Sequence, residues 1–189
     1  CEGHGYGVGP VLLTGQKMLP VLEGAGVPCL PGARGMPESM EICAFLIGRH
    51  KLVVPCDAGR GDVKKFVEEL NVFKAELTEH RMVRMPIQDW ADPRDVVYRR
   101  WKRKLPLDVP PLEPQPEAVA QLNAKLAELP ALLRGPNCLN EWGFGIDDII
   151  LLPHVRHFTC VKGAQFPLAV EAYLNIEATQ MVDWRPHAV

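Results

Sequence analysis

At 189 residues the chain suits one large domain or two small ones. Such a chain buries roughly 70% of its unfolded surface, so a core without disulfide or metal staples is feasible. Its 47% hydrophobic and 23% charged residues are those of a globular protein, and a net charge of −2 argues against general attraction to nucleic acid or acidic membranes. No uninterrupted apolar run approaches the roughly 18 residues of a membrane span. The opening Cys1-Glu2-Gly3-His4-Gly5 lacks the basic start and apolar middle of a secretory leader.

The chain opens on Cys rather than Met, which points to a fragment, a processed form or a trimmed form. Residues 1 to about 35 are rich in glycine and proline. Short apolar runs there, "VLL" at 11–13, "PVLE" at 20–23 and "VPCL" at 27–30, read as strands, the last two joined by Glu23-Gly24-Ala25-Gly26. Helical spacing begins at Ser39, a capping residue stiffened in its approach by Pro37, and places Ile42, Cys43, Phe45, Leu46 and Ile47 on one broad face. "LVVPCDAGRGD" at 52–62 reads as a linker.

Beyond it helical signals dominate. Val63, Phe66, Val67, Leu70, Phe73 and Leu77 predict a long amphipathic helix ending near Pro86. A second helical piece follows Asp92-Pro93 and carries Val96, Val97 and Trp101. "LPLDVPPLEPQPE" at 105–117 is too proline-rich for a helix and reads as a stiff, extended connection. Ala118–Leu133 returns to helical spacing, with Pro130 as a kink or stop. Gly145 then opens a helix as N-cap, with Asp148 reaching back and Phe144 stapling against Ile149. Pro153 falls inside that helix, at a cost of about 3 kcal/mol unless the packing accepts a kink. A last helix runs from about Pro167 to Gln180.

The six cysteines, at 1, 29, 43, 56, 138 and 160, include no CxxC pair and point to a reducing, cytoplasmic setting. Cys43 and Cys160 fall in apolar patterns and read as small core residues. The head "GHGYGVGPVLLTGQK" contains no nucleotide-loop pattern. Cys1 with His4, and His154 with His157, have metal-like spacing, but neither pair has a second pair to complete a site, so no metal is expected. "RRWKRK" at 99–104 sets five cations around a tryptophan, a pattern that could pair phosphates and stack on a base. The acidic balance elsewhere favours a solvated helix face with Trp101 turned inward, and argues against a nucleic-acid partner.

More specific is "GQKMLPVLE" (15–23) taken with "GMPESMEI" (35–42). A cis prolyl bond at Leu19-Pro20 turns the backbone sharply and leaves the Leu19 N–H and C=O open to an extended peptide pairing as an added strand. A helix start at Glu38-Ser39 offers unpartnered N–H groups to a carboxylate, while the Glu38 side chain suits an ammonium. These motifs resemble the glutaredoxin 2 family, bacterial glutaredoxins built like glutathione transferases. "GPNCLNEWGFGIDDIILLPHVRHFTCVKGAQFPLAVEAYL" is similar to that family's carboxy-terminal helices. The likeness covers roughly 11–80 and 135–189, and is weak over 81–134.

The resemblance implies an α/β plus all-α fold: a partial thioredoxin-like, glutathione-binding domain over 1–55, and an all-helical, glutathione-transferase-like domain over 61–189. It implies glutathione as co-substrate, held between the two domains by Leu19, Pro20, Glu38 and Ser39. The implied activity is glutathione-dependent thiol-disulfide exchange on disulfide-containing or glutathionylated proteins, by a monomer. The family's CPxC pair, however, precedes these motifs. Only 14 residues precede Gly15 here, without a CxxC and with too many glycines for the expected helix. No catalytic residue is then assigned: Cys1 could be a remnant of that pair, but nothing after it matches the family, and a sheet without that strand and helix should show an open edge. A non-catalytic glutathione-binding or protein-interaction module is the alternative.

Overall fold

The computed structural model of the protein describes residues 8–16, 18–51, 59–108, 112–174 and 184–189. By contacts the chain forms two compact units, Cys1–Val54 and Pro55–Val189.

In the first unit α1 (Val8–Thr14) is followed by β1 (Val21–Glu23), β2 (Gly35–Pro37) and α2 (Ser39–His50). The strands form a two-stranded antiparallel ribbon in the register Val21↔Pro37, Leu22↔Met36 and Glu23↔Gly35. Both helices pack on this ribbon. Helix α1 corrects the reading of 11–13 as a strand and of the segment as too glycine-rich for a helix. The Thr14 hydroxyl donates to the Pro10 carbonyl at 2.8 Å, and Gly15, at φ 74°, ends the helix in the left-handed turn that favours glycine. Contact with the ribbon explains why a β-prone run is helical here. A Cβ on Gly35 would lie 2.6 Å from Val21 Cγ1 and 3.3 Å from Leu13 Cβ, so the bare glycine lets α1 seat on the strands.

Residues 27–30 form no strand, and the partner of β1 comes from 35–37 instead. Pro28 lies inside the expected strand and Pro31 directly follows it, neither able to donate to a ladder, while the Val27 N–H closes a turn on the Gly24 carbonyl. Cys43 also departs from expectation: it is exposed, while Ile42, one residue earlier, is buried. Successive helical positions lie about 100° apart, and Ile42 takes the inward one.

The second unit begins at α3 (Gly61–Phe73), which continues through a π-helical turn (Lys74–Thr78) into α4 (Glu79–Met82). The amphipathic spacing predicted this length, but the π turn leaves no mark on it. Next come a 3-10 turn (Gln88–Trp90), α5 (Pro93–Lys102) and α6 (Pro116–Leu126). Asp92 caps α5 by accepting the Arg94 N–H at 2.9 Å. Pro116 stands in the first turn of α6, where its missing N–H costs nothing, so this helix starts inside the expected connection. Pro130 lies in a separate 3-10 turn, Leu129–Leu132.

Helix α7 (Ile146–His157) starts as its sequence requires. Asp148 accepts the N–H groups of Gly145 and Leu139, each at 2.8 Å, joining cap and preceding loop. Phe144 and Ile149, expected to staple this start, stay 41% and 53% exposed. The helix runs through Pro153, flanked by fully buried Leu151, Leu152 and Val155, whose packing offsets the lost backbone bond. A 3-10 turn (Phe158–Cys160) and α8 (Leu168–Leu174) follow; the expected continuation of α8 to Gln180 lies outside the described residues.

One apolar core joins these elements, with Phe66, Leu70, Leu77, Leu122, Leu126, Leu151, Phe158 and Tyr173 among its members. Cys160 belongs to it, and burial pushes its thiol up to about 12, so it is an inert packing residue. Arg60 pins the start of α3 by donating to the Leu132 carbonyl at 2.9 Å and by pairing with Asp62 at 2.6 Å. Hydrogen bonding to Arg60 holds the Asp62 carboxyl below its ordinary range. Among the described residues no helix is long and apolar enough to cross a membrane.

Candidate functional site

The four residues singled out at 19–20 and 38–39 are brought together by the ribbon. Leu19-Pro20 leads directly into β1, and its peptide bond is cis. Glu38 and Ser39 leave β2 at the same end, because Val21 is paired with Pro37. All four are exposed, Leu19 at 67%.

Helix α2 begins at this end, but its cap is not the one expected. Glu38 is the N-cap and Ser39 the first helical residue; the chain spends the capping position on a residue that makes no side-chain capping bond. The Ile42 N–H reaches the Glu38 carbonyl at 2.9 Å, which leaves the N–H groups of Ser39, Met40 and Glu41 outside the intrahelical ladder. Together with the helix dipole they make the start of α2 attractive to a carboxylate. Glu38 itself sits at φ 73°, ψ 110°, a region that side-chain-bearing residues rarely adopt. Strain of this kind costs about 1–3 kcal/mol and clusters at ligand-holding positions.

Several elements hold this corner. The Arg34 N–H donates to the Leu13 carbonyl at 2.7 Å, tying the approach to β2 onto α1. Arg49, near the end of α2, donates to the Ala25 carbonyl at 2.9 Å and fixes the helix to the turn after β1.

Cys1 and His4 lie outside the described residues. Among the described residues no cluster of His, Cys, Asp and Glu could hold a metal ion. The "RRWKRK" run is arranged differently from its sequence reading. Trp101 is 67% exposed rather than turned inward, and Arg100 is the buried member. One helical position separates them, and the long Arg100 stem takes the inward place, its Nε donating to the Pro106 carbonyl. Arg99 and Arg103 are paired with Glu79 at 2.9 and 3.3 Å, which leaves Lys102 and Lys104 as the outward cations of the run. Sequence reasoning missed this exchange because periodicity alone assigns the tryptophan to the core.

Comparison with known proteins agrees with this architecture. No curated protein matches the chain. Among solved structures it is similar to glutaredoxin 2 from Salmonella typhimurium, crystallised in complex with glutathione. The match has a TM-score of 0.74 at 21% identity, over 97% of this chain and 83% of that one. The fold is therefore α/β plus all-α, with a partial thioredoxin-like amino-terminal part followed by a helical, glutathione-transferase-like part. The family model described as "Glutaredoxin 2, C terminal domain" matches residues 62–182, well over half of the chain. That match spans 81–134, where the motifs alone gave little. The chain belongs to the glutaredoxin 2 family.

Proposed function

We propose that the corner formed by Leu19, Pro20, Glu38 and Ser39 binds glutathione. The carrying observation is the Val21↔Pro37 register, which sets the Leu19-Pro20 turn beside the open start of α2. The Leu19 N–H and C=O would pair with the extended backbone of the tripeptide around its cysteine. The γ-glutamyl carboxylate would accept from the Ser39 N–H and hydroxyl, and the γ-glutamyl ammonium would donate to Glu38. The relative crystallised with glutathione supports the choice of ligand.

On this reading the protein serves glutathione-dependent thiol-disulfide exchange on disulfide-containing or glutathionylated proteins, as a monomer in a reducing cytoplasm. A cysteine thiolate attacks the glutathione sulfur of a mixed disulfide and releases the protein thiolate. A second glutathione thiolate then frees the cysteine as glutathione disulfide leaves, so two thiolates enter and two leave. Family membership supports this chemistry; in that family the attacking thiol belongs to a CPxC pair, and Cys1 is tested as a remnant of it. A second reading is a binding module that holds glutathione without turning it over, in keeping with the Leu19-Pro20 turn and the α2 start, which supply a seat and no thiol.

Titration calorimetry with glutathione tests the seat: binding that Glu38→Ala and Ser39→Ala each weaken is expected, and no heat at millimolar ligand would refute it. Reduction of a small mixed disulfide, beside Cys1→Ser, separates the two readings. Activity lost in the variant identifies Cys1 as the nucleophile; binding without activity leaves the module.

A further inference from the structure

Helix α5 buries Arg100 and leaves Trp101 exposed, which sets an aromatic side chain on the solvent side of its carboxy-terminal end. Val97, one turn earlier on the same face, is also exposed. The Tyr98 ring lies 6.0 Å from the Trp101 ring, tilted by 31°, so the two aromatics adjoin. The chain then folds back on the last turn: the Lys104 N–H donates to the Trp101 carbonyl at 3.0 Å, with Lys104 at φ 54°. Lys102 continues the surface, one turn beyond Tyr98. The charges at this end are unbalanced. Glu79, the acid in contact with it, is taken by Arg99 at 2.9 Å and Arg103 at 3.3 Å. Asp95 stands two turns before Lys102, about 10 Å along the axis and too far to pair. Lys102 and Lys104, both exposed, enter no ion pair among the described residues.

We propose that Val97, Tyr98, Trp101, Lys102 and Lys104 form a docking surface for an acidic segment of a partner protein, one that carries an apolar or aromatic side chain among its carboxylates. Trp101 is the anchor: a large, stiff ring gives contact area at little conformational cost, and tryptophan and tyrosine dominate the binding energy of protein interfaces. Val97 widens the apolar contact beside it. The two lysines meet the carboxylates at the rim, where charge steers the encounter and selects against basic partners. A nucleic-acid strand fits less well. Phosphate binding gains affinity with each cation engaged, and two outward lysines on a chain of net charge −2 supply few. The surface requires nothing of the glutathione corner.

The probe is a dye-labelled synthetic peptide of glutamates flanking a single phenylalanine, titrated with the full chain and read by fluorescence anisotropy. A copy with lysine in place of glutamate and an oligouridylate of equal length are run beside it. Saturable binding of the acidic peptide is expected, weaker in added salt, with the Trp101 indole N–H resonance shifting in the NMR spectrum. Trp101→Ala should weaken binding about tenfold or more, and Lys102→Glu together with Lys104→Glu should remove it. Lys64→Glu, at an exposed lysine on α3, should leave it unchanged. All these positions are at the surface or on its edge, so the variants keep the fold, which their thermal melts check. Binding that is absent, that the basic copy matches, or that ignores Trp101→Ala overturns the surface. Loss of binding in Lys64→Glu to the same degree reduces it to diffuse charge and overturns it too, and tighter binding of the oligouridylate replaces it with a nucleic-acid site.

Discussion

Val21 is paired with Pro37 across the ribbon, and so the residue before one strand and the residue after the other, Pro20 and Glu38, share one end of it. Glu38 occupies a left-handed backbone conformation there. A glycine at this position relaxes part of the strain while deleting the carboxylate. Glu38→Gly should therefore raise stability by about 1 kcal/mol and weaken glutathione binding, two changes of opposite benefit from one substitution. Chemical denaturation and calorimetry on the same sample check the pair. A variant that lost both stability and binding would show Glu38 to be a packing residue.

Gly35 makes the opposite case, a position where any side chain is harmful. Its Cβ would meet Val21 Cγ1 at 2.6 Å and Leu13 Cβ at 3.3 Å, so α1 must lift from the ribbon. Gly35→Ala should cost about 1–3 kcal/mol and loosen the corner where the ligand is proposed to sit. Thermal unfolding with and without glutathione measures both effects.

Arg100 is fully buried, and its two terminal nitrogens have no hydrogen-bond partner. A buried guanidinium in this state is expensive, and its single bond to the Pro106 carbonyl recovers little. Arg100→Met, which keeps the apolar stem, should stabilise the protein by about 1–4 kcal/mol. Urea denaturation decides it, and a loss of stability would mean that the charge is compensated in solution.

His157 links stability to pH. Its folded-state value, pushed down to about 4 by burial and by Lys74, lies below the ordinary 6.5 of the unfolded chain. Between those values the unfolded state binds the extra proton, so its contribution is complete above about pH 6.5 and fades as pH falls toward 4. His154, lowered for the same reasons, acts in the same direction. His157→Gln should flatten the pH dependence of unfolding in that window. A slope unchanged by the substitution would assign the effect to other groups.

Much of the helical unit was legible because each helix carries its own punctuation. Asp92-Pro93 starts α5 and Gly145 with Asp148 starts α7, and a side chain within one turn does the work in both. The core spacing from Val63 to Leu77 was likewise a local pattern, and periodicity placed Val63, Phe66, Leu70 and Leu77 in the core, although Leu77 lies in the π-helical turn. The ribbon was harder to read. Gly35–Pro37 has three residues and no alternation, and is a strand only because Val21–Glu23 lies beside it. Helix α1 depends on the same neighbour, through Gly35. The inversion of Arg100 and Trp101 is a long-range outcome on which a local window carries no information. At the candidate corner the sequence marked the four residues, but only the register shows that they adjoin.

Among the described residues the apolar core cluster lies between Val63 and Trp184, whereas Ile42 is the buried apolar side chain of the first unit. A unit so lightly filled opens locally at low free energy, and its amides exchange with solvent long before those of α3 or α7. Anything that binds only the closed form adds RT ln(1 + [L]/Kd) to that small number. For the ribbon and its two helices, the ligand proposed at Leu19 and Ser39 would act as a substitute for interior packing, and occupancy of the site would become readable as the rigidity of the fold around it.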